Sequence, residues 1–403
     1  MVKINDDTWV TPTTYGLVFS HINNQKKLIR VYLDNEASFS LQNNDSEDVI
    51  NTIESKGVNV TGLKQNIDSI KKEKKQCDEL SSKNGWNLFS LFPLQYSVQT
   101  LNYCNASCDF CYANVPNTKD KKFMDLPTIY KLKDYAAVNG VKFGVSGGEP
   151  LLHPQIFEIL RYRCDEVYDT LITNLTPKFD FEALLKTKVD LIQVSIHGYK
   201  SIHNNTIGIK NAYNLIFDRM EKLLKNVNVA TNTVITPSNI KSIDPLVEDL
   251  SNLQKKQERN LTYVRFVPVV PSGTGLKLYD VKESFLNAVG NLLVKLQRKY
   301  NDINFEIPMI HSNPYEYFFK DNKWICPAGS TVAVIRIDGH VLPCNQFLDT
   351  TVCSSNTIFD NNLHEIWLND PLFSDMRKGI ITNHEMSCSE CRYLLMRQYN
   401  KNF

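Results

Sequence analysis

The stretch "QTLNYCNASCDFCYANVP", residues 99–116, sets three of the chain's ten cysteines, Cys104, Cys108 and Cys111, within eight positions. Thiolates spaced C-x3-C-x2-C on one short loop can converge on a single metal centre. A structural zinc takes four ligands in a closed tetrahedron, and the histidine nearest in sequence is His153. The other reading is an iron-sulfur cluster, with three irons held by cysteine and the fourth open to an exogenous ligand. Spacing favours the cluster and leaves zinc open.

The surrounding composition bounds the answer. A chain of 403 residues is long enough for two or three domains. Its 42% hydrophobic and 22% charged residues are ordinary for a soluble globular protein. Lys plus Arg at 45 nearly cancels Asp plus Glu at 44, so no global charge argues for nucleic acid or an anionic membrane. No apolar run approaches the ~18 residues of a membrane span, and "MVKINDDTWV" lacks the apolar core of a secretion signal. The expectation is a cytoplasmic protein, in which thiols stay reduced and clustered cysteines serve as metal ligands or catalysts rather than disulfides.

Working outward, "LQYSVQTLN" (94–102) alternates like a strand and leads into the cysteines. Further on, "VKFGVSGGEPLLHP" (141–154) reads as a strand followed by Ser146, Gly147, Gly148, Glu149 and Pro150. Glycines there let backbone come close to a ligand, and a carboxylate can accept from an ammonium group. "VYDTLIT", "DLIQVSI", "NVATNTVI" and "LTYVRFVPV" continue the β-branched runs, separated by helical patterns such as "MDLPTIYKLKDYAAVNG" and "AYNLIFDRMEKLLKNV". Such alternation predicts an α/β fold with a parallel sheet, helices outside, and ligands at the carboxyl ends of the strands.

Together the cysteine loop and the Gly-Gly-Glu-Pro segment resemble the radical S-adenosylmethionine (radical SAM) enzymes. The resemblance implies a partial (β/α)6 barrel, a reducing 4Fe-4S cluster on Cys104, Cys108 and Cys111, and S-adenosylmethionine chelated on the open iron. It places Tyr112 near the adenine and Ser146, Gly147, Gly148, Glu149 and Pro150 at the methionine moiety. Thr173 and Asn174 in "LITNL", and Ser195 in "VSIHG", match weaker motifs that touch the ribose or carboxylate. Asn232 and "FVPVVPSGTG" resemble the fifth and sixth strand motifs. Ile207-Gly208 stands where relatives carry Arg-Gly, so one arginine contact is missing. His197 and His203 are expected to be core or solvated histidines, and no catalytic acid or base stands out.

A second cysteine set lies in the last hundred residues: Cys326, Cys344, Cys388 and Cys391. "IRIDGHVLP" predicts a hairpin turning at Asp338-Gly339 that brings Cys326 and Cys344 together. Four thiolates complete a shell, either zinc or a fully ligated 4Fe-4S cluster. C-x12-G-x4-C followed by C-x2-C is similar to the twitch, or truncated SPASM, extension of radical SAM enzymes. That likeness implies one auxiliary 4Fe-4S cluster with an electron-transfer role, and "LHEIWLNDPLFSDMRKG" matches its linking helix. Cys77, Cys164 and Cys353 fit neither set and are expected to be buried structural residues.

Residues 1–90 are expected to form a small α+β domain, with strands at "TTYGLVFS", "KLIRVYLD" and "ASFSLQ" and then helices at "SEDVINTIESKG" and "LKQNIDSIKKEKKQCDELSSK". That order resembles the winged-helix domain which captures leader peptides in ribosomal peptide (RiPP) maturation; a capping extension is the alternative. The lysine run "KKEKKQ" is expected to be a solvated helix face. The barrel is then assigned to 91–300 and the twitch domain to 301–403. The resemblance implies a peptide maturase with two 4Fe-4S clusters that abstracts hydrogen from a precursor peptide, giving a crosslink, a thioether or an epimerised residue. Its electron donor would be a flavodoxin or ferredoxin; neither nucleic acid nor membrane is an expected partner. The alternatives are a small-molecule dehydrogenase or rearrangement enzyme and, in another class, a zinc-bound regulatory protein.

Overall fold

The computed structural model describes residues 1–43, 47–86, 88–115, 120–257, 259–278, 283–306 and 326–379. At the amino end, β1 (Val2–Asn5), β2 (Thr8–Thr13), β3 (Gly16–Ile22) and β4 (Leu28–Leu33) form an antiparallel sheet in that order. Helices α1 (Asn35–Gln42), α2 (Glu47–Ser55) and α3 (Ile67–Asn84) follow. The segment "ASFSLQ" is helical rather than a strand, and the hairpin β1–β2 was not anticipated. Asp34 decides the first point: its carboxylate accepts from the Ala37 N–H at 2.8 Å and caps α1. Strands before helices still holds, with four strands. Lys71, Lys72 and Lys75 of the lysine run are exposed, but Lys74 is buried and its Nζ lies 2.6 Å from Asp78 Oδ1.

The barrel strands are β5 (Gln95–Gln99), β6 (Lys142–Ser146), β7 (Asp169–Thr173), β8 (Leu191–Ser195), β9 (Asn228–Ile235) and β10 (Val264–Pro268). All six are parallel and adjacent in chain order, as the alternation implied. Between and after them come α4 (Leu126–Asn139), α5 (Ile156–Arg161), α6 (Phe181–Leu185), α7 (Ser201–Ile207), α8 (Ala212–Leu223), α9 (Ile243–Lys255) and α10 (Glu283–Lys299). One face of the strands, including Phe143, Val145, Leu171, Ile192 and Phe266, packs with helical Ile129, Ile216 and Leu250 into the main core.

The sheet runs on past six strands to nine. β11 (Phe305–Glu306) adds parallel to β10. On the far edge β12 (Val332–Ile335) adds parallel to β5, and β13 (Val341–Leu342) folds back on β12 with Val334 opposite Leu342. The expected hairpin is therefore present, turning through Gly339 at φ +84°, but it is built onto the barrel's edge. The expected single linking helix is two, α11 (Leu363–Asn369) and α12 (Pro371–Gly379). Pro371 holds Asp370 extended, at ψ 133°, and so ends α11. From α12, Arg377 is buried among Trp86, Phe89, Trp367 and Phe373 and donates to the Gly329 and Trp367 carbonyls at 2.9 and 2.7 Å.

The hairpin between β3 and β4 seals the floor of the barrel. Ile22 and Leu28 pack with Tyr168, Leu191, Ala230 and Tyr263. The Asn228 amide donates to the Gln25 and Lys26 carbonyls, both at 3.2 Å, and Arg30 donates to the Leu94 carbonyl at 2.6 Å. The functional loops gather at the opposite, carboxyl ends of the strands.

Candidate functional site

The loop carrying Cys104, Cys108 and Cys111 leaves β5 at the carboxyl edge of the sheet and is held by backbone from three directions. From the β6 end, the Gly148 N–H donates to the Leu101 carbonyl at 2.9 Å and the Glu149 N–H to the Tyr103 carbonyl at 3.0 Å. A Cβ on Gly148 would stand 1.9 Å from the Tyr103 oxygen, and one on Gly147, at φ +144°, 2.5 Å from the Leu101 oxygen. The two glycines thus admit the backbone of the cysteine loop, where the sequence suggested room for a ligand. From α7, the Ile207 carbonyl accepts from the Ser107 N–H at 2.9 Å, so the Ile-Gly that replaces Arg-Gly serves through its main chain.

The third support was not anticipated in this role. In the loop after β10, Thr274 donates through N–H to the Cys111 carbonyl at 3.0 Å and through its hydroxyl to the Cys108 carbonyl at 3.2 Å. Its neighbour Ser272 donates to the Gln346 carbonyl at 2.6 Å, joining this clamp to the loop after Cys344. A side chain at Gly273 would meet the Cys111 oxygen at 2.0 Å. The signal was the "SGTG" run, noted only as a strand-motif likeness.

Glu149 lies buried beneath the loop with both carboxylate oxygens engaged. It accepts from the Thr173 hydroxyl and the Asn174 N–H, both at 2.6 Å, and from the Leu151 N–H at 3.0 Å. Burial pushes its carboxyl up to about 7. Its carboxylate is thus bound to protein donors and ties the Gly-Gly-Glu-Pro segment to β7. Pro150 opens the short turn that follows. Ser146 is buried, donating to the Val98 carbonyl at 3.2 Å. Asn174, expected near the nucleoside, points its amide at sulfur: Nδ2 lies 3.5 Å from Cys104 Sγ and 3.1 Å from Asn105 Oδ1. Ser195, the last residue of β8, pairs in register with Asn232 in the middle of β9, and both are half-buried. His197 and His203 are core residues: His197 Nδ1 accepts from the Val234 N–H at 3.1 Å, and burial holds His197 well below the ordinary imidazole range.

All three loop thiols are pushed up by burial, Cys104 to about 12 with Glu149 adding to the effect. As free thiols they stay protonated, and a cationic centre must displace those protons. The sulfur of Cys104 already faces donors, the Ala106 N–H at 3.3 Å and the Asn174 amide. Backbone groups of Ala113, Asn114 and Val115 act likewise on Cys111. Donors aimed at sulfur suit thiolates bound to iron. A cluster, which gives each cysteine its own iron, fits the three-cysteine loop.

Tyr112 bridges to the carboxyl-terminal hairpin. It is half-buried with Cys344 and Cys353 against Val334, Leu342, Phe347 and Leu348. Cys326 and Cys344 are both partly exposed. Their expected partners, Cys388 and Cys391, lie outside the described residues. Cys77 is buried as expected, whereas Cys164 and Cys353 are only half-buried.

Comparison with known proteins gives this geometry a family. The model of the radical SAM superfamily matches residues 98–250, and that of the SPASM iron-sulfur cluster-binding domain matches 326–392. Residues 98–250 of this chain are a radical SAM domain. Its carboxyl-terminal part is a SPASM domain, and its cofactors are those of the two families, iron-sulfur clusters and S-adenosylmethionine. Among curated relatives of this radical SAM chain is the sporulation killing factor maturation protein SkfB of Bacillus subtilis. It is 24% identical over 270 residues, 64% of this chain and 62% of SkfB, so the match spans less than two thirds of that relative. AdoMet-dependent heme synthase of Methanosarcina barkeri is 25% identical over 325 residues, 72% of this chain and 88% of the synthase. Among solved structures, Streptococcus suis SuiB bound to S-adenosylmethionine has a TM-score of 0.68 at 18% identity, covering 98% of this chain and 97% of SuiB. SuiB bound to its precursor peptide SuiA has the same TM-score at 17% identity, covering 99% and 97%. Both share the fold over nearly the whole chain. Among the described residues, no helix is long and apolar enough to cross a membrane.

Proposed function

We propose that this radical SAM protein is a peptide maturase that abstracts a hydrogen atom from a ribosomally made precursor peptide, leading to a crosslink, a thioether or an epimerised residue. When bound, the reducing cluster supplies the electron that splits S-adenosylmethionine into methionine and a 5'-deoxyadenosyl radical, which takes the hydrogen. The protein's part is to hold and orient. Cys104, Cys108 and Cys111 would hold the reducing cluster; Thr274, Ile207 and the Gly147-Gly148 backbone fix their loop. Cys326 and Cys344, with Cys388 and Cys391, would hold the auxiliary cluster. Tyr112 packs between the two sites, and Ser195 lies at the strand ends where substrate or nucleoside would sit.

The observation that carries the enzymatic reading is the three-thiol loop with donors turned on its sulfurs. The peptide rests on likeness to SkfB and on the shared fold with SuiB, which extends through the amino-terminal domain. That domain, residues 1–90, is the proposed leader-binding unit, with β1 and β4 as the strands whose edges could take an added strand. The second reading, a small-molecule enzyme, is favoured by the heme synthase relative, most of whose length this chain matches.

The test uses the full anaerobic chain, reconstituted with iron and sulfide, with S-adenosylmethionine, dithionite and the synthetic peptide encoded by any short reading frame beside its gene. The expected result is 5'-deoxyadenosine together with a peptide of changed mass or stereochemistry. No 5'-deoxyadenosine overturns the enzymatic reading. Cleavage with no change in the peptide and no measurable affinity for it leaves the small-molecule reading.

A further inference from the structure

The side chain of Asn174 has all four of its hydrogen-bonding positions filled by protein. Its oxygen accepts from the Thr176 N–H at 2.9 Å and the Thr176 hydroxyl at 2.6 Å. A backbone N–H can only donate, so this contact fixes which end of the amide is oxygen. Nδ2 must then face the other way, toward Cys104 Sγ at 3.5 Å and Asn105 Oδ1 at 3.1 Å. The main chain is pinned too, by the 2.6 Å bond from the Asn174 N–H to Glu149. The residue is buried, only 9% exposed. Nothing of the side chain remains to offer a nucleoside.

We infer that Asn174 is a positioning residue of the reducing cluster, whose amide sets the reduction potential through its bond to the Cys104 sulfur. This deepens, and rests on, the radical SAM reading above. Reduction adds one electron from dithionite and no proton, so the reduced cluster carries one more negative charge, part of it on its cysteine sulfurs. An N–H aimed at that sulfur stabilises the reduced form more than the oxidised one and raises the potential.

The experiment is a redox titration of the reconstituted full chain, followed by electron paramagnetic resonance, with Cys326 and Cys344 changed to alanine so that one cluster is read. Asn174→Leu should lower the reduction equilibrium about tenfold, about 59 mV for a one-electron couple. Asn174→Asp, which turns an oxygen on the sulfur, should lower it further. An unchanged potential in Asn174→Leu with the cluster intact overturns the inference and leaves the enzymatic reading standing. A wild-type chain that takes up no iron overturns both. Should the Asn174 variants fail to assemble, pulsed resonance on the Cys326 and Cys344 alanine chain carrying Asn105→Asp and 15N-asparagine decides: a nitrogen coupling to the reduced cluster supports the bond, and its absence overturns it.

Discussion

Gly148→Ala changes one methyl group and should uncouple the cysteine loop from the barrel. The new Cβ would lie 1.9 Å from the Tyr103 oxygen, 2.3 Å from the Tyr103 carbonyl carbon and 3.0 Å from the Cys104 nitrogen. Since Cβ atoms essentially never approach closer than 3.0 Å, the two backbones must part by roughly 1 Å or more. All the obstructing atoms are main chain, so no side chain can swing aside. Parting stretches the bonds Gly148 N–H to Leu101 and Glu149 N–H to Tyr103, now 2.9 and 3.0 Å. Overpacking plus one lost buried hydrogen bond comes to about 3 kcal/mol, and more if both bonds go. The control is Gly290→Ala: its Cβ meets nothing within 4 Å, and the helix should gain about 0.5–1 kcal/mol. Denaturant unfolding of the apo chain reads both values, and iron bound after reconstitution reads the first. A Gly148→Ala protein with wild-type stability and full iron uptake would refute the reasoning.

Other consequences can be measured independently. Glu149→Gln turns an amide NH2 on donors that now meet a carboxylate, so it should cost about 1–3 kcal/mol for each donor left unpaired, read as a fall in unfolding free energy. Burial raises Asp190 to about 8 and Asp169 to about 6, both from an ordinary 3.8. The folded chain therefore holds protons there that the unfolded chain has released, so their contribution is full below about pH 4 and is lost as pH rises through 6 to 8. Asp190→Asn should flatten the decline of melting temperature between pH 6 and 8; an unchanged slope would count against this assignment. Arg377→Ala strips four aromatic rings of their cation and leaves two carbonyls unpaired, for a loss of about 3–5 kcal/mol in thermal or chemical melts.

The βα alternation was legible because strand-like runs, alternating at β5 and richer in β-branched residues further on, are separated by helical periods, and the six parallel strands appear where those runs stand. The cysteine loop was legible because ligand spacing is local. What escaped was the choice of partner. Nothing in "SGGEP" says that its glycines meet Tyr103 and Leu101, because that depends on two strands lying side by side. The same holds for Asn174, whose amide reaches a sulfur seventy positions away in sequence. "ASFSLQ" failed for a different reason: six residues of alternation match a strand, and the capping carboxylate of Asp34 outweighed the pattern. The extension of the sheet by β12 was hidden for the first reason again, since a parallel pairing across more than two hundred residues leaves no local mark.

The seal at the barrel floor fixes a length. A leader peptide held on the amino-terminal sheet would start from the end of the barrel remote from the three-cysteine loop. Any residue to be altered would then have to reach the carboxyl ends of the strands, the length of a barrel strand away. Five-residue strands at about 3.3 Å per residue make that climb roughly 17 Å, or some five extended residues of spacer at the least. Substrates with shorter spacers would bind and remain unmodified, so graded deletions between leader and target should end in an abrupt loss of turnover.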